Sequence, residues 1–291
     1  MGELDADHFA DSERGELAVV GLHRNSAGPG AIKRRSKPSS EAGGKMSKFQ
    51  KYVGEFASEI IYWVIEETVG LRQTVAKLIP DAVKRTAIYT AVRPAPFHDS
   101  IYDETYFKSE VEGPAVASAP AMARTIVEHF HPHSVVDVGC GTGALLVAFR
   151  DLSCSVSGLE YAEVALRYCH ERNLDVRKFD IERQVLREAA RSDVAVSFEV
   201  AEHLPEKRAD RFVDLLCSLA PVVVCSAAKP GQGGLEHVNC QPQSYWVEKF
   251  ERRGYRFDRV AADALRAEWR AQGVTGYYSE SVMAFRRAAD S

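Results

Sequence analysis

The stretch Ser134-Val-Val-Asp-Val-Gly-Cys-Gly-Thr-Gly-Ala-Leu-Leu-Val-Ala148 decides the fold. Val135, Val136 and Val138 are β-branched and favour an extended, buried strand. Asp137 stands at the end of that strand, ahead of Gly139, Gly141 and Gly143. The glycines permit a tight turn and a close approach of a ligand to the backbone. Ala144 to Phe149 then reads as a helix with an apolar face. A strand, a glycine turn and a helix N-terminus together present backbone N–H donors to a bound group. The spacing is Gly-x-Gly-x-Gly, which differs from the Gly-x-Gly-x-x-Gly of a dinucleotide-binding turn.

Outward from this stretch, strands and helices alternate, which predicts a parallel sheet. Strands are expected at 134–138, 155–160, 175–179, 193–198, 221–226 and 255–260, with a last one at 277–286. Helices are expected at 115–130, near Ala144, Glu163, Ile181 and Arg208, and at 245–253, where Gly254 serves as a C-cap.

Upstream the character changes. Residues 1–45 run from an acidic part to a basic part rich in Gly, Ser and Pro, and are expected to be a disordered tail. Lys33, Arg34, Arg35 and Lys37 read as a solvated charge run, and Met46 as a candidate translation start. Residues 46–112 are expected to form a helical cap, with apolar residues at helical steps over 47–78 and a second helix over 81–92. Such a cap suits packing on the core, covering a substrate or making a homodimer contact. Ile101 to Phe107 is a dense aromatic and acidic cluster on what reads as a mobile entry segment, with Tyr106 placed to close over a ligand. Residues 113–291 form the expected catalytic domain.

Composition narrows the class. The 291 residues are 45% hydrophobic and 27% charged, as in an ordinary globular protein. Lys+Arg of 37 against Asp+Glu of 41 gives a net charge of -4, which argues against a dedicated nucleic-acid binder. Six cysteines with no Cys-x-x-Cys pair exclude a zinc knuckle, and with no secretory signal they point to a reducing cytoplasm. No apolar run is long enough to span a bilayer.

The glycine stretch resembles motif I of the class I S-adenosylmethionine-dependent methyltransferases. Further motifs follow in order from about Ala115 to Arg287. The resemblance implies an α/β, Rossmann-like, seven-stranded sheet with strand seven antiparallel beside strand five, flanked by helices. It implies S-adenosyl-L-methionine as cofactor. Asp137, Gly139, Cys140, Gly141 and Gly143 would line it; Glu160, with Tyr161 beside it, would accept the ribose hydroxyls. Asp180 and Ile181 would meet the adenine, and Phe198 and Glu199 the methionine part. The stretches Ser197 to Pro205 and Ala227 to Trp246 are similar to a bacterial group that modifies sugars and secondary metabolites.

The spacing Glu199-x-x-Glu202-His203 has chemistry of its own. On a helical turn these residues share one face. With His237 from the next loop, which also carries Asn239, they offer two carboxylates and two imidazoles to a divalent cation. A similar arrangement occurs in small-RNA 2′-O-methyltransferases and ubiquinone-pathway O-methyltransferases. The competing use is catalytic: His203 or His237 as general base for a hydroxyl. The expected reaction is O-methylation of a sugar or small natural product, hence a small-molecule or glycan acceptor. N-methylation of an amino sugar, RNA 2′-O-methylation and a non-catalytic cofactor-binding subunit are the alternatives. No Asn/Asp-Pro-Pro-Tyr-like motif appears, which disfavours methylation of a nucleobase amine.

Overall fold

A computed structural model describes residues 102–187 and 191–288. The expected tail at 1–45 and the cap helices at 47–78 and 81–92 lie outside the described residues.

Seven strands form one sheet in the order β3-β2-β1-β4-β5-β7-β6. They are β1 Ser134–Val138, β2 Ser155–Glu160, β3 Val176–Lys178, β4 Val194–Ser197, β5 Val222–Cys225, β6 Tyr255–Phe257 and β7 Met283–Arg287. The first five are mutually parallel. Only β7 runs antiparallel, between β5 and β6. This is the class I methyltransferase arrangement expected from the motifs. β1 and β4 are central and bury nearly every residue, which is why they read as continuous apolar runs.

Helices α1 Gly113–Phe130, α2 Ala144–Asp151, α3 Glu163–Glu171, α4 Ala209–Leu219, α5 Gln243–Glu251, α6 Arg259–Ala271 and α7 Gly276–Ser281 cover the sheet. Two apolar layers result. One packs Phe212, Leu216, Trp246, Phe250 and Phe285 on one face. The other packs Ile126, Phe149, Leu265 and Trp269 on the opposite face. The Trp269 indole N–H donates to the Thr125 hydroxyl, tying α6 to α1. Tyr255 donates from its hydroxyl toward the carbonyls of Cys217 and Ala220, so the α4–β5 connection is pinned from β6.

Three expectations need correction. The strand at 255–260 stops at Phe257, because the Asp258 carboxylate accepts the Ala261 N–H and starts α6. The stretch 277–286 is a short helix followed by a strand from Met283, not one strand. The helix near Ile181 is absent: Asp180 Oδ1 accepts the N–H groups of Glu182 and Arg183, and this turn displaces a helix start.

The entry segment is ordered. Glu104–Tyr106 is one helical turn, Phe107–Glu112 a wider π-type turn, and both lead directly into α1. Phe107 is buried. Glu104 bonds Arg167 and Tyr168 on α3, and Glu112 pairs with Arg172.

Phe285 stacks on Phe250 with ring centroids 4.0 Å apart, at the strand that joins β5 to β6. Phe285→Ala is expected to cost about 3–5 kcal/mol, read as a lowered urea midpoint at unchanged slope.

Candidate functional site

The C-terminal ends of β1, β2 and β4 open into a cavity of about 910 Å³. That is the edge where open α/β sheets hold ligands. Its floor is the glycine turn. Gly139 and Gly143 have φ of 76° and 78°, a left-handed conformation. A Cβ at Gly139 would stand 2.5 Å from Val200, and one at Gly143 2.4 Å from Leu174. Both positions therefore require glycine. Cys140 packs its sulfur against that of Cys169 at 4.0 Å, and that hydrogen bond, then burial, push its thiol pKa well up. Its role here is as a small wall residue.

Glu160 closes the end of β2. Its carboxylate accepts three backbone N–H groups: Tyr161 at 2.6 Å, Ala162 at 2.8 Å and, across the cavity floor, Gly141 at 2.8 Å. A partly exposed carboxylate is the natural reading of a strand end, yet Glu160 is only 9% exposed. Burial raises its pKa, against the three N–H bonds, which lower it. A carboxylate has about four lone-pair sites, so Oε2, which holds only the Gly141 N–H, keeps accepting capacity. Asp137 is buried beside it. Burial, with the Glu160 charge adding, pushes its pKa up to about 8.

Tyr161, Asp180 and Ile181 line one end of the cavity, and Phe198 and Glu199 line the other. Phe198 is wedged edge-on against Trp269 and Tyr278. Glu199 has a φ of 55°, uncommon for a residue with a side chain. Ser226 holds it there: its hydroxyl accepts the Glu199 N–H and donates to Oε1. Gln232 donates to Oε2 and Ser281 to Oε1. Sequence reasoning missed these three polar partners; only the Gln232 position within a glycine-rich loop hinted at one.

The helical turn expected from Glu199 starts instead at Ala201, because the left-handed Glu199 breaks the spiral. Glu202, His203 and His237 nonetheless come together, one polar atom of each within 4.8 Å of the others. Glu199 falls outside that group: its oxygens belong to Ser226, Gln232 and Ser281. Glu202 is fully buried, and neither carboxylate oxygen has a well-formed hydrogen bond, although the Ala228 N–H and the Glu199 carboxyl lie close. Burial and then the Glu199 charge push its pKa well up. The Glu202 carbonyl accepts the N–H groups of Val238 and Asn239, and this docks the glycine-rich loop and delivers His237. The imidazoles of His203 and His237 meet edge to face, 4.9 Å apart. Gly234 makes the slot: a Cβ there would lie 2.2 Å from His237 Nε2.

Tyr102, Tyr106, Tyr277 and Tyr278 roof the cavity. Burial, followed by the charges of Glu202 and Glu110, pushes the Tyr106 phenol far above its ordinary range, so it serves as a neutral hydrogen-bonding wall at physiological pH.

Two expected outcomes follow. Glu160→Ala orphans three backbone N–H groups and should cost at least about 2 kcal/mol of stability, with Glu160→Gln costing less. Asp137 is held neutral in the fold up to about pH 8, against an ordinary value of 3.8. Its contribution is full below that ordinary value and is lost as pH rises through the folded one. Asp137→Asn, which stays neutral, should therefore lose less stability than wild type between pH 5 and pH 8 in urea titrations.

Among the described residues no helix is long and apolar enough to cross a membrane, and all six cysteines are free. Residues 135–220 match a family described as a methyltransferase domain. No curated protein sequence matches the chain. Among solved structures, magnesium protoporphyrin IX methyltransferase from Synechocystis, with bound S-adenosylhomocysteine, superposes with a TM-score of 0.50 at 14% identity, covering 67% of this chain and 100% of that one. A sugar N-methyltransferase from Streptoalloteichus also gives 0.50, at 13% identity, over 64% of this chain and 92% of the other. The matched domain, the sheet order and the glycine turn agree: residues 135–220 carry an S-adenosylmethionine-dependent methyltransferase domain, set in a sheet of the class I order.

Proposed function

We propose that the protein transfers the methyl group of S-adenosylmethionine to a hydroxyl of a sugar or small natural product. The sulfonium methyl is already activated, so positioning supplies much of the rate. A hydroxyl acceptor needs in addition a group that takes its proton near neutral pH. The observation that carries the reading is the His203–His237 pair, with rings 4.9 Å apart and both lining the cavity. His237 or His203 is the proposed proton acceptor.

The cofactor would lie along the cavity floor. Glu160 would accept a ribose hydroxyl through the free capacity of Oε2, with Tyr161 beside it. Asp180 would use Oδ2 for the adenine amino group, since Oδ1 is committed to its own turn. Ile181 supplies an apolar wall to the base. Asp137, Gly139, Cys140, Gly141, Gly143, Phe198 and Glu199 would border the methionine part.

One observation favours a second use of the same cluster. Glu202, His203 and His237 offer a carboxylate and two imidazoles within 4.8 Å, and the oxygens of the buried Glu202 lack well-formed hydrogen bonds. That donor set fits a divalent cation, with Glu199 not among the ligands. A cation held there would bind acceptor hydroxyls and lower their pKa.

The deciding experiment incubates the protein with S-adenosylmethionine and cell extract and reads the methylated product by mass spectrometry. A methylated hydroxyl supports the reading, and a methylated amine overturns it. With an acceptor in hand, His237→Ala should keep cofactor binding within about twofold while turnover falls by about 10²–10⁴. Turnover surviving exhaustive chelation alongside an inactive His237→Ala removes the cation and leaves His237 as base. Turnover that survives both removes His237 from the chemistry.

A further inference from the structure

We infer that Tyr102 is a positioning residue that fixes the tautomer of His203, its phenol oxygen accepting the Nδ1–H so that Nε2 keeps its lone pair. The assignment rests on the reading of His203 given above, and the experiment below reads the tautomer without any acceptor.

The two groups are 101 residues apart in the chain, yet the Tyr102 hydroxyl lies 3.0 Å from His203 Nδ1. The rings meet edge to face at 5.8 Å and 89°. Tyr102 also packs edge-on against Tyr106 at 5.1 Å. The chain after it is anchored. The Asp103 carboxylate accepts the Tyr106 N–H at 2.9 Å, the Phe107 N–H donates to the Asp103 carbonyl, and Glu104 is bonded to α3. The hydroxyl is thus carried by an ordered turn and not by a wandering side chain.

His237 shows the same device with a different partner. Its Nδ1 lies 3.3 Å from the Gln232 carbonyl oxygen, which can only accept. Nδ1 of His237 therefore carries the proton, and Nε2 has the lone pair. For an imidazole to act as a base or a ligand, its other nitrogen must donate to a fixed acceptor, which sets both tautomer and ring orientation. Two imidazoles 4.9 Å apart on one wall must both meet this condition to serve the same acceptor or ion. A backbone carbonyl meets it for His237. For His203 the partner on Nδ1 is Tyr102, whose oxygen is able to accept. The entry segment thereby becomes part of the machinery: it roofs the cavity and also prepares the histidine beneath it.

The test reads the tautomer directly. The full-length protein is labelled with ¹⁵N-histidine, and long-range ¹H–¹⁵N spectra are recorded at a pH where imidazoles are neutral. His203 is assigned by comparison with His203→Asn. Wild type is expected to give a protonated Nδ1 and an unprotonated Nε2 at both His203 and His237. Tyr102→Phe keeps the ring and removes the oxygen. It should collapse the His203 pattern to an averaging imidazole and leave His237 unchanged. A wild-type His203 protonated on Nε2 overturns the inference, as does a His203 pattern identical in Tyr102→Phe. If that variant fails to fold, the wild-type spectrum alone decides. No acceptor or turnover enters the measurement, so the tautomer stands or falls separately from the proposed reaction.

Discussion

The working end of this molecule depends on one buried carboxylate. Glu160 ties the backbone of the glycine turn, through Gly141, to the first residues after β2, through Tyr161 and Ala162. Each loop alone would leave its N–H groups facing an apolar floor without partners. A shared anion satisfies both and holds the tips of two adjacent strands at a fixed separation. Burial keeps its neighbour Asp137 neutral, and the Glu160 charge adds to the effect. S-adenosylmethionine carries a sulfonium and an ammonium, and a cation bound here would favour the ionised form of both carboxyls.

The wall beyond β4 follows a different principle, local strain held by polar contacts. Glu199 and Glu236 both sit in the left-handed region. Such strain persists where the surroundings over-determine it. At Glu199 the surroundings are Ser226, Gln232 and Ser281, drawn from the ends of β5, the following loop and α7. Strand five, its loop and the C-terminal helix therefore converge on one residue, which explains why the wall bearing His203 and His237 is well defined although it is built from loops.

Much of this was legible in the sequence, and the rest failed for identifiable reasons. Val135, Val136 and Val138 with the glycines marked β1, its turn and the start of α2, because local propensity and burial agree there. The resemblance singled out Glu160 and Asp180 after their strands, but the burial of Glu160 depends on Gly141 folding back over it, a contact no linear pattern records. Helix α6 carries its signal openly: Asp258 as cap, then Ala261, Leu265 and Trp269 at steps of four. It was hidden by reading Tyr255 to Val260 as one β-rich run. Tyr277 to Ser281 alternates like a strand but lies in a short helix, where tertiary contacts of Tyr278 with Phe198 outweigh propensity. The meeting of Glu202, His203 and His237 was legible from residue type and order. The exclusion of Glu199 was not, since its partners come from three other elements.

The position of β7 has a consequence for how the molecule comes into being. The strand lies between β5 and β6 but is made after both. During synthesis β5 presents an open edge, and β6 has no neighbour to join until residues 283–287 arrive. The cofactor half of the sheet, β1 to β4, is complete long before. Nascent chains would therefore pass through a stage with a finished floor and an unsealed flank, exposing Phe250 and the apolar side of β5 to other strands. Closing that flank is a long-range, late event of the kind that slows folding. Losing residues 283–287 would reopen it, so β7 serves as a check on the completeness of the whole sheet.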